Sequence, residues 1–212
     1  MKGAVSNRKS RGGERFTHVA LLRGINVGGK NLLPMAKLAR MFEAIGCLAV
    51  RTYIQSGNVL FEASEALARQ VPREIGRAIL VDAGLEVPVI VRTADELAAV
   101  LRANPFRPGG ADPKRLHVAF LADEPAAARV AALDPGRSPP DEFVVRGREI
   151  HLHLPNGAAR TRLTNAYFDG KLGTVSTLRN LSTVAKLLEL AGAPPTSRLS
   201  RPKRIPASLR GG

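Results

Sequence analysis

A glycine-rich basic segment at residues 23–31 carries the side chains best suited to hold an anion. Its sequence, Arg-Gly-Ile-Asn-Val-Gly-Gly-Lys-Asn, follows an apolar strand pattern and precedes a helical one. Glycine lets backbone N–H groups turn toward a ligand, and the two cations add a positive field. The alternative is a glycine-rich connection that packs closely against its own sheet. The candidate ligand-binding residues here are Arg23, Asn26, Gly28, Gly29, Lys30 and Asn31.

This segment also matches the phosphate-binding pattern G-x-x-x-x-G-K, but its surroundings argue against an ATPase. Asn31 stands where the pattern needs Ser or Thr to hold magnesium. Residues 32–34 then delay the helix, whose N-terminus should meet the phosphate. The next two strands are predicted to form a hairpin, whereas nucleotide-binding P-loop sheets need parallel crossovers. An anion-binding turn therefore remains the hypothesis for this segment.

A second polar cluster lies at residues 51–58, with the sequence Arg-Thr-Tyr-Ile-Gln-Ser-Gly-Asn. Strand alternation places Arg51, Tyr53 and Gln55 on one face, and Ser-Gly at residues 56–57 predicts a hairpin turn. Hairpin chemistry explains residues 56–58 by itself, so a ligand-binding face is favoured only if these residues meet the glycine-rich segment. The candidate ligand-binding residues here are Tyr53, Gln55, Ser56 and Asn58.

A third polar cluster lies between residues 160 and 180. We predict a helix over residues 176–191, with Ser176 or Thr177 as its cap, because apolar residues recur there at helical spacing. A helix N-terminus favours anions, although a cap beside a solvated basic face is the structural alternative. Arg179 and Asn180 are the candidate ligand-binding residues of this cluster.

These motifs together resemble the signature of the DUF1697 family, a bacterial family of unknown function. The resemblance rests on residues 23–31 and 52–58, with further likeness at 168–173 and 177–184. Leu181 stands where the family usually has Trp, which removes a stacking side chain and leaves its polar neighbours. The resemblance implies an α+β protein built from ferredoxin-like units, and it implies no reaction.

The order of predicted elements indicates an α+β fold. Residues 16–92 read as strand, helix, strand, strand, helix and strand, which is the ferredoxin-like or split βαβ unit. Residues 116–168 repeat most of that order, ending with a helix at 158–168, although the two halves show no evident sequence similarity. We therefore predict duplicated ferredoxin-like units with antiparallel sheets. The predicted divisions are a disordered basic tail at 1–15, a ferredoxin-like unit at 16–92, a second α+β unit with C-terminal helices at 93–192, and a disordered basic tail at 193–212.

The net charge of +14 suggests a nucleic-acid partner, but much of it lies near the two ends of the sequence. Residues 1–15 hold five Lys or Arg against one Glu, and residues 198–212 hold five and no acid. Such tails bind nucleic acid non-specifically or simply keep the protein soluble. The single cysteine, Cys47, excludes an internal disulfide and favours a cytoplasmic location. No apolar run suggests a membrane partner.

The sequence predicts binding chemistry more strongly than catalysis. The three clusters lack the paired carboxylates of acid–base catalysis, and we assign no catalytic residue. His151 and His153 share a strand face without a third ligand, so we expect no metal site, and any cofactor is left open. We predict a non-catalytic protein that binds a phosphate-bearing ligand, either a nucleotide or RNA. The alternatives are an enzyme that acts on an anionic small molecule and a protein-interaction module whose polar clusters are structural.

Overall fold

The structure, a computed structural model, describes residues 15–192, and the predicted tails lie outside this range apart from Arg15. The described residues form two antiparallel four-stranded sheets and six α-helices. No helix within them combines the length and apolar character needed to cross a membrane. The strands are β1 (Phe16–Leu22), β2 (Leu48–Tyr53), β3 (Asn58–Ala63), β4 (Val89–Thr93), β5 (Leu116–Leu121), β6 (Glu142–Arg146), β7 (Glu149–His153) and β8 (Ser176–Asn180). The helices are α1 (Met35–Ala44), α2 (Glu65–Ala83), α3 (Ala94–Arg102), α4 (Ala127–Ala131), α5 (Asn165–Leu172) and α6 (Leu181–Gly192).

The two sheets have the same strand order. The first sheet runs β2-β3-β1-β4 and the second runs β6-β7-β5-β8. In each sheet the first strand of the half is internal, and the last strand of the half, β4 or β8, is terminal. All neighbouring strands are antiparallel. A side chain on β4 therefore has a counterpart in register on β8.

One hydrophobic core joins the two sheets. Leu21 of β1 and Phe120 of β5 lie in a central cluster that also includes Leu97 of α3 and Leu187 of α6. Two further clusters cover the outer faces, one between the first sheet and helices α1 and α2, the other between the second sheet and α5. Because the inner faces share a core, polar side chains at their rims can reach from one sheet to the other.

The predicted helix over residues 176–191 is wrong at its beginning. Residues 176–180 form strand β8, and helix α6 begins only at Leu181. These residues adopt the strand conformation and not the helical one because, as a strand, they pair with β5 and bury Ser176 and Thr177. Neither of these residues caps the helix; the side chain of Asn180 accepts a hydrogen bond from the Ser182 amide at 2.9 Å instead.

Two other helices differ from the sequence-based expectation. The helix expected at 158–168 is α5, which begins at Asn165 after Thr164, whose hydroxyl accepts from the Tyr167 amide. A proline commonly breaks the interior of a helix, yet Pro72 lies inside the uninterrupted helix α2. That helix survives the loss of one N–H donor because four buried residues hold its inner face. Those residues are Ala68, Val71, Ile75 and Ile79.

Candidate functional site

Arg179 is buried where the two sheets meet, with 8% of its surface exposed. Its Nε donates to Asn58 Oδ1 at 2.7 Å, and its Nη2 donates to the Leu22 carbonyl at 2.7 Å. The same Nη2 also reaches the carbonyls of Ser56 and Gly57 in the β2–β3 turn at 3.3 and 3.2 Å. Its Nη1 donates to Thr177 Oγ1 and to the Leu178 carbonyl, both at 2.9 Å.

The guanidinium of Arg179 is thus bonded on all three nitrogens by the protein itself. Its partners are carbonyls, one amide and one hydroxyl, and no carboxylate among the described residues forms an ion pair with it. Burial lowers the pKa of Arg179 to about 10, so the side chain stays charged at neutral pH. Its position links β8 of the second sheet to β1 and the β2–β3 turn of the first.

Arg92 on β4 makes the corresponding link in the opposite direction. It is 1% exposed, and its Nε donates to Glu149 Oε1 at 3.0 Å. Its Nη2 donates to the carbonyls of Leu121 at 2.6 Å and Arg148 at 3.2 Å, and its Nη1 to Val91. Burial, followed by the nearby charge of Arg148, lowers the pKa of Arg92. This arginine links the first sheet to β5 and the β6–β7 turn.

Arg92 and Arg179, named here the reciprocal arginines, occupy matching positions. Each is the fourth residue of the last strand of its half, and each donates to the last residue of the first strand in the other half. The two receiving turns also match, because Leu22 donates to the Gly57 carbonyl and Leu121 donates to the Arg148 carbonyl. Each sheet therefore contributes one buried arginine that donates hydrogen bonds to backbone carbonyls of the other sheet. We call this arrangement the arginine exchange.

Asn26 ties the glycine-rich segment to the neighbouring hairpin turn. Its Nδ2 donates to the carbonyls of Leu33 and Gln55, both at 2.9 Å, and its Oδ1 accepts from the Leu33 amide at 2.8 Å. The Asn26 backbone lies at a φ of 54°, in the left-handed region that Asn tolerates. The first and second polar clusters therefore meet, and Asn26 is the residue that joins them.

The tip of the glycine-rich segment projects into solvent. The Lys30 amide donates to the Val27 carbonyl at 3.0 Å, which closes a turn around Gly28 and Gly29. Both glycines have positive φ, and a Cβ added at either would meet no atom within 4 Å. Lys30 is exposed, and Asn31 donates from its Nδ2 to the Gly24 carbonyl at 2.9 Å. The turn is thus open to a ligand on its outer side.

Arg23 begins the segment and anchors it to the second half. It forms an ion pair with Asp169 of α5 and donates to the Ser176 carbonyl at 3.1 Å. Asp169 in turn accepts from the Ser176 amide at 2.8 Å. Arg23 also lines an open cleft of about 610 Å³ between the segment and α2. The other residues that line this cleft are Gly24, Asn31, Gly76, Arg77, Leu80, Glu86, Val87 and Pro88.

The remaining candidate residues are placed unequally. Tyr53 is partly buried against the central core, and Ser56 Oγ accepts from Asn58 Nδ2 at 3.3 Å. Gln55 is exposed and contributes its carbonyl to Asn26. Asn180 caps α6 and donates to the Lys114 carbonyl, away from the other candidates. Arg23, Asn26 and Asn58 therefore lie near the Arg179 link, whereas Gly28, Gly29 and Lys30 lie at the exposed tip.

Titratable groups outside this region offer little for catalysis. Burial and then the charge of Arg146 lower the pKa of His151 to about 4, and its Nδ1 has no hydrogen-bond partner within residues 15–192. Burial raises the pKa of Cys47 to about 11, so it remains a thiol. In the part of the chain that the structure describes, no three His, Cys, Asp or Glu residues are grouped to hold a metal ion.

Sequence reasoning missed Arg92, Glu149 and Asp169. One sign of the repeated architecture was present in the sequence: His-Val-Ala occurs in β1 at residues 18–20 and in β5 at residues 117–119. In each strand the histidine Nδ1 lies near the carbonyl two residues earlier, at 2.8 Å from Phe16 and 3.3 Å from Arg115. The repeat marks β1 and β5 as counterparts, but Arg92 lies 74 residues after His18 and Arg179 lies 62 residues after His117, so only the strand register matches the two arginines.

Comparisons with known proteins agree with this architecture. The structure is similar to that of the conserved bacterial protein SP0830 from Streptococcus pneumoniae, with a TM-score of 0.62 and 21% sequence identity. The similarity covers 84% of this chain and 99% of that one, and at this identity it shows a shared fold. No functionally curated protein matches the chain. Residues 16–151 match the model of DUF1697, described as a protein of unknown function, and the chain belongs to that family.

Proposed function

We propose that this protein binds a phosphate-bearing small molecule, of which a nucleotide is the leading case, in the cleft between the glycine-rich segment and α2. The observation that carries the proposal is that two arginines line one cleft of about 610 Å³: Arg77, and Arg23, which its ion pair with Asp169 holds in place. That volume lies in the range of small-molecule sites. Gly24 and Gly76 also line the cleft, and their lack of side chains lets a ligand approach the backbone.

Charge in this cleft favours an anion. Arg77 is exposed and forms no ion pair with another described residue, so its guanidinium is available to a phosphate. Glu86 is the one acidic residue that lines the cleft among those described. Asn31 adds polar groups beside Gly24, and Lys30 follows the turn at the exposed tip. A single carboxylate without a neighbouring histidine supports binding rather than acid–base catalysis.

The proposal divides the candidate residues by role. Arg23 and Asn31 line the cleft together with Arg77, whereas Gly28, Gly29 and Lys30 form the exposed tip of the same segment, which we propose contacts the outer part of the ligand. The remaining candidates position that surface through bonds to the rest of the protein: Asn26, Tyr53, Gln55, Ser56, Asn58, Arg179 and Asn180. A small ligand is favoured over RNA because Tyr53, the one aromatic candidate for base stacking, is partly buried and packs against the central core. Non-specific binding of nucleic acid by the basic tails stays a separate prediction.

The test is calorimetric titration of the full chain with pyrophosphate, AMP and ATP, comparing Arg77→Gln with Arg73→Gln. Both arginines lie on α2, and Arg73 is exposed and does not line the cleft. Loss of one charge-assisted hydrogen bond corresponds to an affinity loss of roughly tenfold or more for Arg77→Gln. The Arg73→Gln protein should bind as the unaltered protein does.

Two results would overturn the proposal. One is a silent titration with all three ligands. The other is an equal loss of affinity in the Arg73→Gln and Arg77→Gln proteins, because equal loss means attraction by the general positive charge and not by the cleft. Repeating the titration at raised salt separates these cases further, since unspecific attraction is screened more strongly.

A second candidate function, a protein-interaction module, is favoured by three exposed aliphatic residues. Val27 is 59% exposed, Leu32 is 70% exposed and Ile54 is 51% exposed. Val27 directly follows Asn26. Leu32 and Ile54 directly precede Leu33 and Gln55, the two residues to which the Asn26 side chain is hydrogen-bonded. Ile54 also has a φ of 51°, which is costly for a β-branched residue and is found mostly where function retains it. Substituting all three by Ser would abolish such an interaction and leave nucleotide titrations unchanged.

We also propose that the two halves are duplicated ferredoxin-like units, at residues 16–92 and 93–192. The shared strand order, the His-Val-Ala repeat and the reciprocal arginines support this history. The shared central core argues that the units are not independent in solution. Residues 16–92 expressed alone should therefore expose the inner face of their sheet and self-associate.

A further inference from the structure

A cavity of about 170 Å³ lies between helix α3 and the β6–β7 hairpin. His151 of β7 lines this cavity and is 1% exposed. The Nδ1 atom of its ring is buried and has no hydrogen-bond partner within residues 15–192. Buried polar atoms are nearly always hydrogen-bonded, so an orphaned nitrogen on a residue that lines a cavity points to a partner inside that cavity.

The matching place in the first half is filled by the protein itself. By strand register, His151 corresponds to Leu60, and Arg146, which also lines the cavity, corresponds to Tyr53. Leu60 is buried in the central hydrophobic cluster, and Tyr53 packs against that cluster. The second half therefore has a histidine and an arginine beside a cavity where the first half has two side chains that complete the core.

The charges around the cavity leave one cation without a counterion. Two carboxylates line the cavity, and each is already paired: Glu96 with Arg148, and Glu149 with Arg92. Arg146 forms no ion pair with another described residue, and its guanidinium donates to one backbone carbonyl at 2.6 Å. A ligand with one negative charge can pair with this guanidinium, whereas the two carboxylates disfavour a more highly charged anion.

The side of the cavity formed by α3 is apolar. Ala99, Val100 and Ala103 line it and offer only hydrocarbon surface from their side chains. On the opposite side, burial and then the charge of Arg146 lower the pKa of His151 to about 4. The imidazole is therefore neutral at pH 7 and has one N–H to donate. The cavity thus combines donors on the hairpin with a hydrocarbon wall on the helix.

We propose that this cavity binds a short-chain carboxylate, with the charged group on the hairpin side and the alkyl chain on the helix side. The carboxylate accepts hydrogen bonds from the Arg146 guanidinium and from Nδ1 of His151. At about 30 Å³ per water, 170 Å³ corresponds to roughly six non-hydrogen atoms, which sets the ligand at about two to four carbon atoms. The site shares no lining residue with the cleft of the proposed function.

The test is an NMR titration of the full chain with sodium propionate at pH 7 and constant ionic strength. Propionate should shift the amide signals of Ala99, Val100 and Ala103 and the ring signals of His151, and the shifts should saturate. Propionamide, which has nearly the same shape and no charge, is the control ligand. We expect it to bind at least tenfold more weakly because it cannot form the charge-assisted hydrogen bonds.

Two variants and a matched control assign the binding to the cavity. Arg146→Gln should weaken propionate binding at least tenfold, because it removes the cation that has no counterion. His151→Leu should weaken binding by a similar factor, because it removes the second donor. Arg102→Gln is the control, since Arg102 is the last residue of α3, is exposed and does not line the cavity. This variant should bind propionate as the unaltered protein does.

Four results would overturn the proposal. The first is the absence of saturable shifts at the cavity residues with propionate, which would leave water as the partner of His151. The second is equal affinity for propionate and propionamide. The third is an equal loss of affinity in the Arg102→Gln and Arg146→Gln proteins, which would mean attraction by general positive charge. The fourth is tighter binding of inorganic phosphate than of propionate at the same residues.

Discussion

The two halves of the molecule have the same strand order and exchange arginines, yet the two arginines meet different partners. Arg92 reaches a carboxylate, Glu149, whereas Arg179 reaches the neutral amide of Asn58 and a cluster of carbonyls. Neutral acceptors suffice for Arg179 because the β2–β3 turn presents two carbonyls beside that of Leu22. A buried cation can thus link two sheets without a buried anion, provided that every donor has an acceptor.

The halves also differ in the connection after their first strand. Residues 23–34 form the glycine-rich segment between β1 and α1, while residues 122–126 make a shorter connection between β5 and α4. The longer connection carries the cleft of the proposed function and the family motif. The same framework therefore carries an open cleft in one half and a short connection in the other.

The largest expected effect tests the arginine exchange itself. Arg179→Met should lower the free energy of unfolding by about 3–5 kcal/mol, because it leaves several buried acceptors without donors. Arg92→Met should cost less, about 2–3 kcal/mol, since Glu149 is 19% exposed and can turn to water. Urea unfolding followed by circular dichroism measures both. Equal losses of unfolding free energy in the two variants would mean that the Glu149 carboxylate, which only Arg92 contacts, makes no difference to stability.

The next effect concerns His151, a buried histidine whose counterpart in the first half is a leucine. His151 pairs with Val118 in β5 as Leu60 pairs with Val19 in β1, so the two are counterparts. The pKa of His151 falls from 6.5 to about 4 in the folded state, so the unfolded state binds more protons between these values. Stability is therefore complete above about pH 6.5 and declines toward pH 4, by about 3 kcal/mol from this group.

His151→Leu, which installs the residue of its counterpart, should remove that part of the acid sensitivity. The measurement is urea unfolding of both proteins at pH 7 and pH 4.5. A variant whose stability falls as steeply with pH as the unaltered protein would show that other groups cause the decline. Burial also lowers the pKa of His18 and His117, so some acid sensitivity should remain in either case.

A smaller effect separates the two hairpin turns. Gly57 has a φ of 78°, and an added Cβ would lie 2.8 Å from Leu22 Cβ and 3.0 Å from Ile25. Gly57→Ala should therefore destabilise the protein by about 2–3 kcal/mol through crowding and backbone strain. Gly147 is the matched control, because it has a φ of 55° and open space around it. Gly147→Ala should cost about 1 kcal/mol, and thermal unfolding compares the two.

The smallest effect tests the contact that covers β8. Arg23→Gln removes the ion pair with Asp169, whose side chains are 30% and 22% exposed. We expect a loss of about 1 kcal/mol in the free energy of unfolding that shrinks at raised salt. Ala122 directly follows β5 as Arg23 directly follows β1. The substitution Ala122→Arg should change the free energy of unfolding by no more than about 0.5 kcal/mol, because no acidic residue stands in the place that Asp169 has beside Arg23. A salt-independent loss for Arg23→Gln would assign its effect to packing.

Much of the first half was predictable from its sequence. The apolar runs of β1 and β3 and the spacing of α1 and α2 predicted the right elements, because local periodicity follows from which face is buried. The beginning of α6 was not predictable in this way. Residues 176–180 continue the helical spacing of residues 181–191, and only pairing with β5 makes them a strand. The role of Arg179 changed with that strand, from a helix start to a link between sheets.

The family, the alternation of strands and helices, and the chemistry concentrated at residues 23–31 and 51–58 could all be read from the amino-acid sequence. The three-dimensional arrangement was needed to separate the polar side chains that line an open cleft from those that hold the two sheets together. Arg23 and Arg179 are the same residue type in neighbouring motifs, but one lines an open cleft and the other is enclosed by six acceptors. The physical reason is that a guanidinium's role depends on its solvent exposure and partners, which lie in the other half of the chain.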